Sequence, residues 1–325
     1  MKDVQITVAD SQSNKQFKLN EVLTEISWSY QLGDQPGKLT FSFIENGTDF
    51  FYEGSNVVLN VDGKKIFDGY LFERNRTQQD EMSCVVYDRL RYLNNKDTFV
   101  FNNHSPNDIF KTICSQQQLP YRIVNGSTYK IPPTVCDNKT LYSMLTDALE
   151  TSFIATKQYI ICRDNCGTLE LVDVANLRVP LLIGDSSLLT GFDFKSTIDS
   201  DVYNYIKLVQ ENENTGNREV YVTLDTTNMA KWGRLQYFEK VDKNANATQI
   251  KQQANDLLRL YNRKGKTLKL NAMGDARVRE GCGVALGIEK LKNENIPHMQ
   301  FALVSAVTHN ISKEDHTMDL TMEVV

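Results

Sequence analysis

The chain has 325 residues, 41% of them hydrophobic, which allows two or three domains with cores of their own and fits a globular rather than a disordered chain. Its net charge of −5 has the wrong sign for a protein that grips phosphate backbones, so stable nucleic-acid binding is not expected. No run approaches the roughly 18 to 20 apolar residues of a membrane helix, and Met1-Lys2-Asp3-Val4-Gln5 lacks the apolar core of a signal peptide. The expectation is a chain with no membrane contact, synthesised and assembled in the cytoplasm.

Residues 1–95 read as almost wholly β. Val4, Ile6 and Val8 alternate, Glu25-Ile26-Ser27-Trp28-Ser29-Tyr30 places large side chains on one face, and Asp62-Gly63 is a tight-hairpin signal. This predicts a barrel or sandwich of short strands, closed by one or two helical turns over Asp88–Leu93. From 96 to 185 the pattern changes to an α+β insertion. Ser105 is an N-cap and Pro106 suits the first helical position, with Ile109, Phe110, Ile113 and Cys114 on one stripe before Leu119-Pro120. A second helix fits Thr140 to about Thr151, after an extended connection forced by Ile131-Pro132-Pro133, and strands Gln158–Cys162 and Thr168–Val172 flank a turn at Asp164–Gly167. Residues 186–325 begin with a hairpin, Tyr203–Val209 and Glu219–Thr223 around a polar loop. Asn228–Val241 has no clear period. A long helix fits 247–262, with Ile250, Ala254, Leu257, Leu258 and Tyr261 on its apolar stripe and Gly265 as its stop.

One phrase occurs twice. Glu280-Gly281-Cys282-Gly283-Val284-Ala285-Leu286-Gly287-Ile288 matches Glu53-Gly54-Ser55-Asn56-Val57-Val58-Leu59-Asn60-Val61, each an acidic-glycine turn leading into a strand with one buried face. The flanks agree: Leu39–Phe43 precedes one copy and Leu268–Ala272 the other. Ile66–Phe72 and Met82–Tyr87 follow the first, Phe301–Val307 and Met318–Val324 the second. The fold class predicted is therefore mainly β with an α+β insertion, containing two related β-barrel-like domains and one long helix. Any two antiparallel meanders share some of this grammar, so the repeat is an expectation for the backbone to test.

A catalytic reading needs a site. The six cysteines are scattered, and the Cys162/Cys166 spacing is better explained by a hairpin turn than by zinc. His309 and His316 flank the final hairpin turn and read as solvated cross-strand neighbours. No phosphate-binding loop, nucleophile elbow or metalloprotease motif is present. Gly281-Cys282-Gly283 invites a nucleophilic-cysteine reading, but Ser55 fills the matching place in the other copy. Glu239 with Asp242, or Asp199 with Asp201, are carboxylate pairs only in the weak sense that acids are numerous. Trp28, in an alternating strand, reads as core. Trp232, beside Gly233 and Arg234 in an irregular stretch, reads as a contact residue. No catalytic residue, metal or cofactor is assigned.

Gly274-Asp275-Ala276-Arg277-Val278-Arg279-Glu280-Gly281, followed by Phe301–Val307 and His316-Thr317-Met318-Asp319-Leu320, resembles the C-terminal signature of XkdQ/YqbQ-type baseplate hub proteins of contractile phage tails and phage-tail-like bacteriocins. Ile26-Ser27-Trp28-Ser29, Gly69-Tyr70, Tyr87-Asp88-Arg89-Leu90, Asp108–Cys114, Asn138–Leu141 and Trp232-Gly233 occur in family order. The resemblance implies a structural protein whose two tube-forming modules let a homotrimer present six quasi-equivalent positions. The implied partners are the tail tube protein, the central spike and other baseplate proteins, including a LysM-type protein. Trp232, Arg277 and Arg279 are the candidate interface residues, and the implied destination is the baseplate of a tail or tail-like particle. No fused peptidoglycan hydrolase is expected. The competing reading is a cell-wall glycosidase or carbohydrate-binding protein on a β scaffold.

Overall fold

Alternation in the sequence becomes alternation in burial. The computed structural model describes residues 3–13, 15–19, 23–44, 51–77, 81–199, 201–211, 218–241, 246–294, 296, 299–312 and 315–323. The first module comprises β1 (Val4–Ala9), β2 (Gln16–Lys18), β3 (Leu23–Gln31), β4 (Lys38–Ile44), β5 (Asn56–Val61), β6 (Lys64–Arg76) and β7 (Glu81–Tyr87). Ile6, Val8, Trp28, Leu39, Phe41, Phe43, Val57, Leu59 and Val86 are all buried, while their neighbours at odd spacing are not. The strands follow the order β3-β4-β7-β6-β5-β1-β2. β6 pairs with β5 through residues 64–70 and with β7 through residues 70–76, so one long strand turns the corner of the module.

The α+β segment opens with a 3-10 helix, Arg89–Asn94, capped by Asp88. It continues through β8 (Lys96–Phe101), α1 (Pro106–Gln116), β9 (Tyr121–Ile123), β10 (Thr134–Thr140), α2 (Leu141–Thr156), β11 (Ile160–Asp164) and β12 (Leu169–Asp173). α1 begins as predicted: Ser105 and Asp108 exchange side-chain and backbone bonds in a capping box, with Pro106 just inside. Thr140 caps α2, but that helix runs past the expected Thr151 and stops on Lys157 in the left-handed region, a stop that no glycine announces. Ile109, Phe110, Ile113, Leu141, Leu145 and Leu171 meet in one core.

Then come β13 (Arg178–Gly184), β14 (Leu189–Thr197), β15 (Tyr205–Glu211), β16 (Arg218–Leu224), α3 (Thr226–Trp232), β17 (Gln236–Lys240), α4 (Ala247–Tyr261), β18 (Gly265–Met273), β19 (Gly283–Gly287), β20 (Phe301–Ile311) and β21 (His316–Glu323). The chain divides into two compact units, residues 1–193 with 269–324, and residues 194–268. In the smaller unit β15–β17 form a three-stranded sheet covered on one face by α4, which Asn246 caps and whose apolar stripe lies where the sequence places it. The stretch read as lacking a period holds α3, started by Asp225, and β17; both are too short for periodicity to register.

The C-terminal strands repeat the first module. Their order is β14-β18-β21-β20-β19-β13, which matches β3-β4-β7-β6-β5-β1 position for position. β20, like β6, pairs first with one neighbour and then with the other, β19 through residues 301–303 and β21 from residue 303 onward. The outermost strand breaks the symmetry: β1 runs antiparallel to β5, and β13 parallel to β19. β3 and β20 pair antiparallel, so the two modules share one continuous sheet.

Candidate functional site

The two acidic-glycine turns agree at the level of single hydrogen bonds. Gly54 N–H donates to Leu71 C=O and Leu71 N–H to Ser55 C=O (2.7 and 2.9 Å); Gly281 N–H donates to Val304 C=O and Val304 N–H to Cys282 C=O (both 2.9 Å). Ser55 N–H bonds Tyr52 C=O and Cys282 N–H bonds Arg279 C=O, each at 3.1 Å. The β-bulges coincide as well, falling between Leu71 and Glu73 in β6 and between Val304 and Ala306 in β20. Cys282 therefore stands where Ser55 does, as a buried turn residue, and burial pushes its thiol pKa up.

Both glycines are left-handed, with φ of 84° at Gly54 and 77° at Gly281, yet their surroundings differ. A Cβ at Gly54 meets only Ser11, at 4.0 Å, whereas one at Gly281 runs into Ile161 Cδ1. Gly54→Ala is expected to cost about 1–2 kcal/mol from backbone strain alone, and Gly281→Ala a further 1–3 kcal/mol or so from overpacking. Urea midpoints of the two variants check the ranking.

The second turn carries a buried charged cluster. The Arg279 guanidinium bonds Glu280 Oε1 (3.0 Å) and the Asp164 backbone carbonyl (2.8 Å), and lies 4.0 Å from the centre of the Tyr30 ring. Tyr30 O–H donates in turn to Ile66 C=O. Asp88 accepts from Gly37 N–H and Leu90 N–H at 2.9 and 3.0 Å; Asp164 accepts from Arg89 N–H and Gly167 N–H at 3.0 and 2.5 Å. Arg89 reaches Asp68 at 3.1 Å. The first module, the α+β segment and the second module thus each supply charged groups to one site.

Burial opposes the Arg279 charge, but the neighbouring Glu280 carboxylate outweighs it and holds the guanidinium protonated. Burial also lifts the Asp88 carboxyl well above its ordinary range, reinforced by the negative charges of Asp164 and Glu280; burial raises Asp164 too, against the pull of its two N–H donors. A carboxyl whose folded pKa is raised adds stability below its unfolded value, and that contribution is lost as pH rises through the folded value. Lowering the pH from about 8 toward about 5, above the ordinary carboxyl range near 4, is therefore expected to raise the urea midpoint. Asp88→Asn should flatten that rise.

Where β3 meets β20, Trp28 faces His309 in register. The indole stacks on the His309 ring at 4.6 Å between centroids, with His316 at 5.4 Å. Both histidines are buried, so the expectation of a solvated pair is overturned: β3 of the first module covers the hairpin face that the second module alone would leave open. His309 Nε2 lies 2.9 Å from Val278 C=O and its Nδ1 lies 3.0 Å from His316 Nε2. In the neutral pair the Nε2 proton goes to the carbonyl, which leaves Nδ1 to accept from His316. Trp28 lies in the core as expected.

The opposite face of this sheet is small and polar. Register aligns Thr317, Asn310, Ser27 and Thr40 across β21, β20, β3 and β4, and aligns Asp319, Thr308, Ser29 and Lys38 in the next row. A shallow depression of about 440 Å³ there is lined by Glu25, Ser27, Thr40, Ser42, Ser83 and Asn310, among others.

The predicted interface residues separate. Arg277 is exposed and paired with Asp275 at 2.6 Å. Trp232 is half-buried at the end of α3, within the other unit. Arg279 turns inward, its side chain only 13% exposed, because Glu280, the Asp164 carbonyl and the Tyr30 face satisfy it inside the chain. Of the weak carboxylate pairs, Asp199 and Asp201 are both exposed, Glu239 accepts from the Tyr237 hydroxyl, and Asp242 lies outside the described residues. Asp88 and Asp164 escaped the reading of the sequence because each has a local role, as a helix cap and a turn residue; their convergence spans 75 residues between Arg89 and Asp164.

This arrangement of two fused modules is the fold of phage tail proteins. The 43 kDa tail protein of prophage MuSo2 from Shewanella oneidensis matches with a TM-score of 0.73 over 100% of this chain and 97% of that one, at 9% identity. An E. coli component of the type VI secretion system, described as structurally similar to the T4 tail proteins gp27 and gp5, matches with a TM-score of 0.57 over 98% of this chain and 76% of that one, at 10% identity. The chain belongs to the YqbQ-like family, whose profile matches residues 26–323. Bacillus subtilis YqbQ is 28% identical over 289 residues, 85% of this chain and 86% of that protein. XkdQ of the B. subtilis phage-like element PBSX is 27% identical over 241 residues, 73% of this chain and 72% of that protein.

Proposed function

We propose that this chain is a structural baseplate hub, forming a homotrimeric ring with pseudo-sixfold symmetry that adapts a hexameric tail tube to a trimeric spike. The observation that carries the reading is the repetition of strand order, turn hydrogen bonds and bulge position within one chain. A six-fold tube needs similar edges at successive steps of about 60°, and two diverged copies in each of three chains supply six. The small polar face of the shared sheet, where Asp319 and Lys38 share a register row and Glu25 and Asp315 line the depression, suits the inner wall of a passage, since such mixed charge offers a polyanion little to hold. The exposed Arg277 and the half-buried Trp232 are left for neighbours: the tube protein, the spike, and other baseplate proteins including a LysM-type protein. The role is architectural, without catalysis, in the tail of a phage or headless bacteriocin particle.

The test is stoichiometry. Tail tips assembled from the chain, the tube protein and the spike should give, by native mass spectrometry, one copy of the chain for every two tube subunits of the adjoining ring. A one-to-one ratio would contradict the proposal.

A further inference from the structure

The sheet of the smaller unit has two unlike faces. On one, Ile206 and Leu208 pack against Ile250 and Ala254 of α4. On the other, Val222, Lys207 and Phe238 form one register row, and Leu224, Tyr205 and Gln236 the next. Val220 and Phe238 are each 50% exposed, Val222 43% and Leu224 41%. Four large apolar side chains thus stand in solvent on a sheet of three short strands, more than scattered surface hydrophobics account for.

Among the described residues the charges on this face are mostly cationic, in a chain whose net charge is −5. Lys207 Nζ lies 6.0 Å from the centre of the Phe238 ring, and the Arg234 guanidinium 3.7 Å from that of Tyr205. At one end Arg218 and Lys240 share the single carboxylate of Glu211, at 2.6 and 3.0 Å. Cations set over aromatic rings and bordered by aliphatic rows make a surface that pairs with carboxylates spaced among aliphatic side chains.

We propose that this face docks an acidic amphipathic segment of a partner protein. The partner's aliphatic side chains fill the space between Val220, Val222, Leu224 and Phe238, and its carboxylates meet Lys207 and Arg234. A second copy of this chain docked through the same face would set Lys207 and Arg234 against cations, which charge complementarity disfavours. A nucleic acid would find only a few cations here, two of them held by Glu211, too few for the phosphate contacts such binding rests on. The proposal is independent of the ring assignment, because it concerns one face of the unit at residues 194–268.

The experiment places a photo-cross-linking benzoylphenylalanine at Val222 or at Phe238 of the full chain, produced together with the proteins of its native gene cluster, and sequences the cross-linked peptide. The expected product joins a different protein through a peptide carrying aliphatic residues and at least two Asp or Glu, with a yield that falls by about tenfold in Lys207→Glu, as for loss of a close charge pair. Thermal melting confirms that the variant is folded, and Arg234→Glu replaces it if it is not. A cross-link to this chain itself, a peptide without carboxylates, the absence of any product, or a yield indifferent to charge reversal at both positions would each overturn the proposal. The tube stoichiometry is read in a separate experiment, so failure of one leaves the other standing.

Discussion

Replacing Arg279 with alanine is expected to lower stability by about 3–5 kcal/mol, the cost of removing one partner from a buried ion pair and leaving the other uncompensated. Glu280, itself buried, would lose its bonds from Nε and Nη2 (3.3 and 3.0 Å), the Asp164 carbonyl its donor, and the Tyr30 ring its cation. Asp88 and Asp164 would also lose the positive charge that offsets their burial. Because the side chain ties the second module to the α+β segment and to β3, the loss should appear in the global urea transition and not as local fraying. Arg279→Lys should recover only part, since an ammonium keeps the charge but not the planar fork that meets the carboxylate with two nitrogens. The Arg279→Ala/Glu280→Ala double variant should lose less than the sum of the single changes, by roughly 0.5–3 kcal/mol. Additive losses would mean that the two residues do not act as a pair.

Trp28→Ala should be comparably severe, about 3–5 kcal/mol for a buried aromatic truncated to a methyl group. The indole is 1% exposed and covers both buried histidines from across the β3–β20 pairing. Without it, His309 and His316 would border a cavity at the line where the modules join. Ser29→Ala, on the opposite face of the same strand, is the control and should stay within about 0.5 kcal/mol of the parent. Urea melts of the two variants check the contrast, and similar losses in both would show that the join does not depend on the indole.

The repeat was legible because β-strand alternation has a period of two and its turns need glycine, so Glu53-Gly54 and Glu280-Gly281 announce themselves with their strands. The helices were legible through their apolar stripes, and α1 also through its Ser105 cap; the caps of α2 and α4, Thr140 and Asn246, emerge only in the structure. Hidden were the features that depend on distant partners. Nothing local to Asp164 indicates that it faces Arg89 and Arg279, and nothing in the hairpin of His309 and His316 shows that Trp28 covers it. The inward turn of Arg279 was hidden for the same reason. An arginine in an exposed-looking turn is indistinguishable from its neighbour Arg277 until the fold brings Tyr30 beneath it. β13 and β14 went unread because they align by pairing with β19 and β18 rather than by any strong pattern of their own, alternating weakly in burial.

The most direct measurement is a three-dimensional reconstruction of the assembled tail tip without imposed six-fold averaging. The account predicts that, in each chain, the density for residues 56–87 falls on that for residues 283–323 after a rotation of about 60° around the tail axis, with three chains closing the ring. Modules lying at different radii, or related by some other rotation, would contradict it.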